Sequence, residues 1–177
     1  LYSKMCTKNR AGMTSYGEIM VSWLDRDVDI PLQMQAADYR LRMLTVNDLV
    51  KDYDAVMSSQ LELQGVFGPQ SQWPIADMTM EQDLIDLGWH QKEFQNRSSF
   101  AYTMMSLDEV TCLGCVYIYP TYKADVDAQV IMWVRSGSEL DQQLYADVQQ
   151  WLTNTWPFHS VVYPGRNVTW SDWLDQD

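Results

Sequence analysis

The sequence CLGCVYIYPTYKADVDAQVIMWVRSGSELDQQLYADVQQWL, residues 112–152, decides the fold. It holds two apolar runs, at 116–119 and 130–134, both rich in β-branched and aromatic residues. The second run is almost wholly apolar, which is typical of a strand covered on both faces. Residues 120–127 between the runs include Pro, Lys and Asp, and this composition indicates an exposed connection.

A helix is predicted directly after the second run. Ser138 and Asp141 have the S-x-x-D spacing of a capping box. The apolar residues that follow recur at helical spacing and predict one buried stripe: Leu140, Leu144, Val148, Trp151 and Leu152. Because first-turn amides lack intrahelical partners, the turn before this helix is a candidate anion site. The alternative is a capped loop with no ligand, since every such helix needs a cap.

The composition indicates a single acidic domain. The 177 residues suffice for one domain with a sizeable core. Twelve basic against 24 acidic residues give a net charge of −12, which argues against nucleic acid as a partner. No apolar segment of about 20 residues is present, so we expect no membrane partner. The N-terminus has no signal-peptide core, so we expect a cytoplasmic protein.

The remaining elements follow from periodicity and start signals. Thr45 with Asp48, and Thr79 with Gln82, make two further capping boxes, with helices predicted to about residue 64 and through Phe94. Further strands are predicted at 39–44, 98–106 and 160–163. The order β, α, α, β, β, β, α, β predicts a mixed α/β arrangement with one sheet. Residues 1–38 are expected to form an irregular extension packed on a single domain, 39–177.

Three segments together resemble the GNAT superfamily of acyl-CoA-dependent N-acyltransferases. They are YRLRMLTVNDL (39–49), LGCVYIYP (113–120) and DAQVIMWVRSGSELDQQL (127–144). The resemblance implies a mostly antiparallel central sheet flanked by helices, of α/β (α+β) class. It also implies that the strands in the second and third segments splay apart. The pantetheine arm of acetyl-CoA would lie between them.

The resemblance also implies the coenzyme site. Backbone groups of Val116, Tyr117 and Ile118 would face the thioester from one strand, and Trp133, Val134 and Arg135 would lie along the other. The turn Arg135, Ser136, Gly137, Ser138 would bind the pyrophosphate. It departs from the family pattern Q/R-x-x-G-x-G/A, because it has one glycine and is followed by Glu139.

The activity implied is transfer of an acetyl group from acetyl-CoA to an amine of a small molecule or peptide. The alternative, which the altered turn favours, is an inactive GNAT-like binding or regulatory protein. Acyl transfer needs a base for the amine and an acid for the thiolate. Asp127 is a candidate base, and Tyr119 and Tyr145 are candidate acids among ten tyrosines. No metal is expected.

Two further patterns contain residues that could carry chemistry. Asp83, Asp86, His90, Glu93 and Arg97 share one helix face by their spacing, which suits a metal site or a base; we interpret it as a solvated face with internal ion pairs. Cys112 and Cys115 form a C-x-x-C pair, which raises a third hypothesis, a thiol-based enzyme.

The cysteine pair and the tail complete the expectations. Residues three apart in a strand point to opposite faces, so two separate buried thiols are the preferred interpretation. A zinc site would need two more ligands, and Cys6 is the only other cysteine. Exposed Trp170 and Trp173 in the tail could be a partner surface, and a homodimer is one candidate assembly.

Overall fold

A six-stranded sheet forms the middle layer of the computed structural model, which describes residues 23–175. The strands, in their order across the sheet, are β1 Gln33–Gln35, β2 Tyr39–Met43, β3 Phe100–Ser106, β4 Cys112–Tyr119, β5 Ala128–Val134 and β6 Val161–Val162. All neighbours are antiparallel except β5 and β6, which are parallel. The predicted fold class, a mixed and mostly antiparallel sheet flanked by helices, is confirmed.

Helices cover both faces of the sheet. They are α1 Leu49–Ser58, α2 Met80–Asn96, α3 Asp141–Thr155 and α4 Trp170–Asp175. The side chains of β4 alternate between the two sides, as expected of a strand. Val116 and Ile118 pack in the same core as Leu144 and Val148 of α3. The intervening Tyr117 packs in a second core with side chains of α1 and α2.

Two of the three predicted capping boxes are confirmed. The Thr45–Asp48 box and the Thr79–Gln82 box both have their two reciprocal bonds. The first opens a 3-10 turn, after which α1 ends at Ser58, earlier than predicted. The hydroxyl of Ser59 donates to Ala55 O at 2.7 Å, so this side chain satisfies a carbonyl at the helix end.

The third predicted capping box, Ser138 with Asp141, is wrong. The N-cap of α3 is Leu140, which has no capping side chain. The Ser138 hydroxyl accepts from the Leu140 amide at 3.2 Å and shapes the preceding turn. The Asp141 carboxylate binds Arg166 instead, at 3.0 and 2.5 Å. A charged partner distant in sequence therefore takes the side chain that the local pattern assigned to the cap.

Both ends of the described chain differ from expectation. Gln33–Gln35, in the segment predicted to be irregular, pairs with β2 as an edge strand. Its alternation of Gln, Met and Gln covers only three residues, which is too short for periodicity to identify a strand. In the tail, Trp173 is buried within α4 and donates to Gln129 Oε1 at 3.0 Å. Trp170 packs over Gly68 and Gly165. The expectation that these tryptophans are exposed is therefore wrong.

Within residues 23–175, none of the helices combines the length and the apolar character needed to cross a bilayer. The expectation about Cys6 lies outside the described residues.

Candidate active site

The sheet opens between β5 and β6. These parallel strands pair only at Ala128 and Gln129, so β6 leaves the β5 edge at 130–134 uncovered. In contrast, β4 and β5 pair without interruption from Gly114 to Tyr119. The splay that the resemblance implies is thus present one strand further along the sheet than the sequence placed it.

The main chain of β4 has hydrogen-bonded strands on both sides. Val116, for example, lies opposite Tyr102 of β3 and Met132 of β5. The predicted residues Val116, Tyr117 and Ile118 therefore lie one strand away from the opening. No local pattern indicates this, because two apolar strands joined by eight residues are equally compatible with a hairpin and with splayed neighbours. Trp133 and Val134, in contrast, lie on β5 itself, beside the opening.

The predicted pyrophosphate turn follows β5 and contacts the chain at the end of α1. Arg135 pairs with the Asp54 carboxylate at 2.7 Å. The Ser136 amide donates to the Ser59 hydroxyl at 2.8 Å, and the Ser136 hydroxyl donates to Glu62 at 2.9 Å. The Arg135 amide donates to Leu113 O at 2.7 Å and the Ser138 amide to Arg135 O at 3.0 Å, so three amides of the turn already have partners. Gly137 has a φ of 78° and no atoms within 4 Å of where a Cβ would stand, so this part of the turn faces open space.

Arg166, which the sequence analysis did not single out, lies at the same opening. Its guanidinium donates to Met132 O of β5 at 3.4 Å and forms two bonds to Asp141 in the first turn of α3. It also lies over the ring of Tyr145, 5.3 Å from the centroid. The Arg166–Asp141 ion pair therefore lies between the strand edge that β6 leaves uncovered and the N-terminus of α3, which favours negative charge.

The three candidate catalytic residues lie in different places. Tyr145 is on α3 beside Arg166, with its ring edge-on to Tyr163 at 5.2 Å, so it borders the opening. Tyr119 lies at the end of β4 and stacks on Tyr117 with centroids 6.1 Å apart. The structure does not bring Tyr119 together with Tyr145.

Asp127 makes main-chain bonds before β5. Its Oδ2 accepts from the amides of His159 and Ser160 at 2.6 and 2.9 Å. These two donors hold the pKa of the Asp127 carboxyl below its usual value. A carboxylate stabilised in this way is a weak base, and it ties the connection before β5 to the segment that starts β6.

The α2 face that carries His90 is half-buried, and His90 packs against the sheet. The His90 ring packs on Tyr117 with centroids 5.1 Å apart. Its Nδ1 is buried and has no hydrogen-bond partner among the described residues. Desolvation lowers the pKa of His90 to about 4, so the imidazole is neutral at physiological pH.

The interpretation of this face as solvated with internal ion pairs is therefore wrong. Asp83 is only 2% exposed. Glu93 accepts from the Ser99 hydroxyl at 2.7 Å, and Arg97 donates to main-chain carbonyls of Asp25 and Val28, both at 2.7 Å. The spacing correctly put the residues on one face, but only the tertiary fold determines what that face meets.

The two cysteines of the C-x-x-C pair come together through a β-bulge. Met104 lies opposite Gly114 and Met105 opposite Cys112, which leaves Leu113 as an extra residue. The extra residue reverses the alternation, so both sulfurs lie near a carboxylate oxygen of Asp52, with all three atoms within 4.8 Å of one another. The prediction that these thiols point to opposite faces is wrong for this reason.

Comparisons with known proteins address the fold. No protein-family model matches the chain, and no curated protein sequence matches it. Among solved structures, the ribosomal-protein-S5-alanine acetyltransferase from Vibrio fischeri is similar with a TM-score of 0.61 and 15% identity, over 81% of this chain and 80% of that one.

Two further structures agree. An acetyltransferase from Bordetella pertussis, assigned to the GNAT family, has a TM-score of 0.51 at 13% identity over 70% of this chain and 71% of its own. The microcin C7 self-immunity acetyltransferase MccE, in complex with acetyl-CoA and AMP, has a TM-score of 0.54 at 8% identity over 67% of this chain and 62% of its own. The chain therefore has the fold of the GNAT acetyltransferases, as the resemblance implied.

Proposed function

We propose that the protein is an N-acetyltransferase that transfers an acetyl group from acetyl-CoA to an amine of a small molecule or peptide. The observation that carries the proposal is the opening between β5 and β6, which leads from an uncovered strand edge to the N-terminus of α3. It occurs in a fold shared with acetyltransferases, one of which was solved with acetyl-CoA.

In this proposal the coenzyme follows β5. The pantetheine amides pair with the uncovered edge at 130–134, which includes Trp133 and Val134. The pyrophosphate lies at the turn formed by Arg135, Ser136, Gly137 and Ser138, where the first-turn amides of α3 and the nearby Arg166 favour negative charge. Val116, Tyr117 and Ile118 support β5 from its paired edge rather than facing the coenzyme.

The acceptor amine is assigned to the face covered by α1 and α2, because α3 fills the other face. Aromatic rings gather on the acceptor side: Phe67 lies 5.1 Å from both Trp73 and Tyr117, and Trp73 lies 6.2 Å from Trp133. Such rings can hold an apolar or cationic acceptor.

The chemistry then needs two proton carriers. The amine nitrogen attacks the thioester carbonyl, the C–N bond forms, and the C–S bond breaks. His90 is the candidate hydrogen-bond acceptor for the amine, since it is neutral and has an unpartnered nitrogen on the acceptor side. Because its lowered pKa makes it a weak base, the amine proton leaves to water. Tyr145 is the candidate acid for the thiolate, since it borders the opening.

A second candidate function is binding or regulation without turnover. The contacts of the turn favour it, because the Ser136 amide already donates to Ser59 and the carboxylates of Asp54 and Glu62 lie beside the turn. Both a lost donor and nearby negative charge weaken the binding of a pyrophosphate.

Calorimetric titration with acetyl-CoA tests the proposal. We expect micromolar binding by the wild-type chain and loss of binding in Arg135→Glu and Gly137→Pro. Lys92→Glu, the same charge reversal on the exposed side of α2, is the control and should bind as the wild type does. Absence of binding at millimolar acetyl-CoA would overturn the proposal. Binding without release of free coenzyme A across a panel of amines would favour the second candidate.

A further inference from the structure

We propose that Asp52, Cys112 and Cys115 form a binding site for one divalent transition-metal ion of the zinc type. The three side chains come from α1 and from the bulged end of β4. All three residues are buried, at 4%, 1% and 0% exposure respectively.

The spacing of the ligand atoms suits such an ion. The two sulfurs and a carboxylate oxygen lie within 4.8 Å of one another. In a tetrahedral zinc site, bonds of about 2.3 Å to sulfur put two sulfurs about 3.8 Å apart. The site therefore needs a contraction of at most about 1 Å to bind the ion. Two thiolates with one carboxylate form a donor set that favours zinc over calcium or magnesium.

The bulge is what creates the ligand pair. Regular alternation would put the two sulfurs on opposite faces, whereas the extra residue Leu113 puts them on the same one. The bulge also depends on Gly114, because a Cβ there would lie 2.1 Å from Trp133 O.

The carboxylates around the site lack a cation. Asp52 and Asp83 lie close enough to interact electrostatically, and across residues 23–175 neither forms a salt bridge. Asp83 Oδ2 is buried with no partner in the described part of the chain. Asp48 is buried to a similar extent, and its charge is balanced by a cation. Arg42 donates to both of its carboxylate oxygens, at 3.0 and 2.7 Å. A buried carboxylate pair without an arginine calls for a proton or a metal ion.

Two polar groups lie next to the proposed ligands, as is usual for groups that hold metal ligands in place by hydrogen bonds. Asp83 is placed to orient the Asp52 carboxylate, and the Thr103 hydroxyl lies 3.5 Å from the Cys112 sulfur. Metal ligands are commonly held by such hydrogen bonds, and losing one typically costs about 10- to 100-fold in affinity. A disulfide between the cysteines is the competing explanation, but it gives no role to either carboxylate.

Binding is written as M²⁺ replacing the two thiol protons and any proton on Asp52, with the fourth position taken by a ligand from solution. The protons leave to the buffer, and no redox change occurs. The site lies outside the proposed coenzyme path, so its test is independent of acetyl-CoA binding.

Cobalt titration of the reduced, chelator-treated 177-residue chain is the experiment. We expect one Co²⁺ per chain, with the visible bands of a tetrahedral ion and a thiolate-to-cobalt charge-transfer band in the near ultraviolet. Zn²⁺ should displace the cobalt and remove both signals. The Cys112→Ser, Cys115→Ser and Asp52→Asn variants should lose or weaken the bands, and Asp83→Asn should weaken Co²⁺ binding about 10- to 100-fold.

Cys6→Ser is the matched control and should keep the full signal. Since a core variant can fail to fold, the wild-type chain gives a second readout: Zn²⁺ should raise the urea concentration at which two of its three thiols become open to a small alkylating reagent. A folded wild-type chain without the cobalt bands would overturn the proposal, as would bands that disappear in Cys6→Ser. A Cys112–Cys115 disulfide that forms in air with Zn²⁺ present would also overturn it.

Discussion

The hydroxyl of Ser59 accepts a hydrogen bond from the main-chain amide of Ser136 at 2.8 Å, which fixes the turn after β5 to the chain leaving α1. The Arg135–Asp54 ion pair spans the same two segments at 2.7 Å. The turn that would receive a pyrophosphate is thus pre-shaped by α1, but its donors are partly engaged. Coenzyme affinity should therefore respond to substitutions on α1, a helix that the resemblance did not connect with the phosphate.

The Asp54→Asn variant should bind acetyl-CoA more tightly. The substitution frees the Arg135 guanidinium and removes one negative charge beside the turn. Because exposed ion pairs are worth up to about 1 kcal/mol, the expected gain is about two- to fivefold in affinity, and it should shrink as salt is added. Calorimetry at two ionic strengths measures it. Asp125→Asn, the same change in the exposed connection, should have no effect; an unchanged or weaker Asp54→Asn would contradict the expectation.

Two glycines should differ in their tolerance of alanine. At Gly114 the added Cβ would lie 2.1 Å from Trp133 O, so Gly114→Ala has to push β4 and β5 apart. We expect a loss of at least about 3 kcal/mol in the free energy of unfolding. The Cβ of Gly137→Ala would have no neighbouring atoms within 4 Å. This variant should lose only about 1 kcal/mol in the free energy of unfolding, because alanine is strained at a φ of 78°. Urea unfolding of both variants checks this order. Equal losses in the free energy of unfolding would contradict it, because they would show that β4 and β5 accommodate the added Cβ at Gly114.

The free energy of unfolding should decrease as the pH is lowered, because His90 is neutral in the folded chain. Its pKa is lowered from 6.5 to about 4 in the folded chain, so between these values the unfolded chain binds more protons. The His90 contribution is complete above pH 6.5 and is lost as the pH falls towards 4, about 3 kcal/mol in total. Urea unfolding at pH 7 and pH 4.5 should show a smaller drop for His90→Gln than for the wild type. Equal drops would mean that His90 is protonated in the folded state.

Asp127 should matter for stability and not for chemistry. Removing the carboxylate in Asp127→Ala leaves two main-chain amides to water, at a cost of about 1 kcal/mol. Asp127→Asn keeps an acceptor oxygen and should cost less. Once an acceptor amine is found, the turnover of the folded Asp127→Ala protein should equal that of the wild type. A large loss of kcat with normal stability would restore Asp127 as the base.

Local sequence patterns predicted most of the fold. Strand periodicity and two capping boxes located β2 to β5 and the starts of the first two helical segments, because these signals depend only on neighbours in the chain. The failures arose where distant residues compete. Asp141 binds Arg166 instead of capping α3, and the polar edge strand Gln33–Gln35 exists only because β2 offers it partners.

The candidate site was less predictable than the fold. Which strand edge lies open depends on sheet topology, and periodicity does not report topology. The single extra residue Leu113, which turns both sulfurs to one side, leaves no mark in the apolar pattern. The burial of His90 depends on where α2 lies, although its spacing with Asp83 did show that the two share a face.

The central claim, that acetyl-CoA lies along the uncovered edge of β5 and ends at the start of α3, can be tested directly by hydrogen–deuterium exchange with and without the coenzyme. The account predicts slower exchange in peptides covering 130–143 and little change in the β3–β4 hairpin at 100–119. Unchanged exchange at 130–143 with saturating acetyl-CoA, or protection confined to other segments, would contradict it.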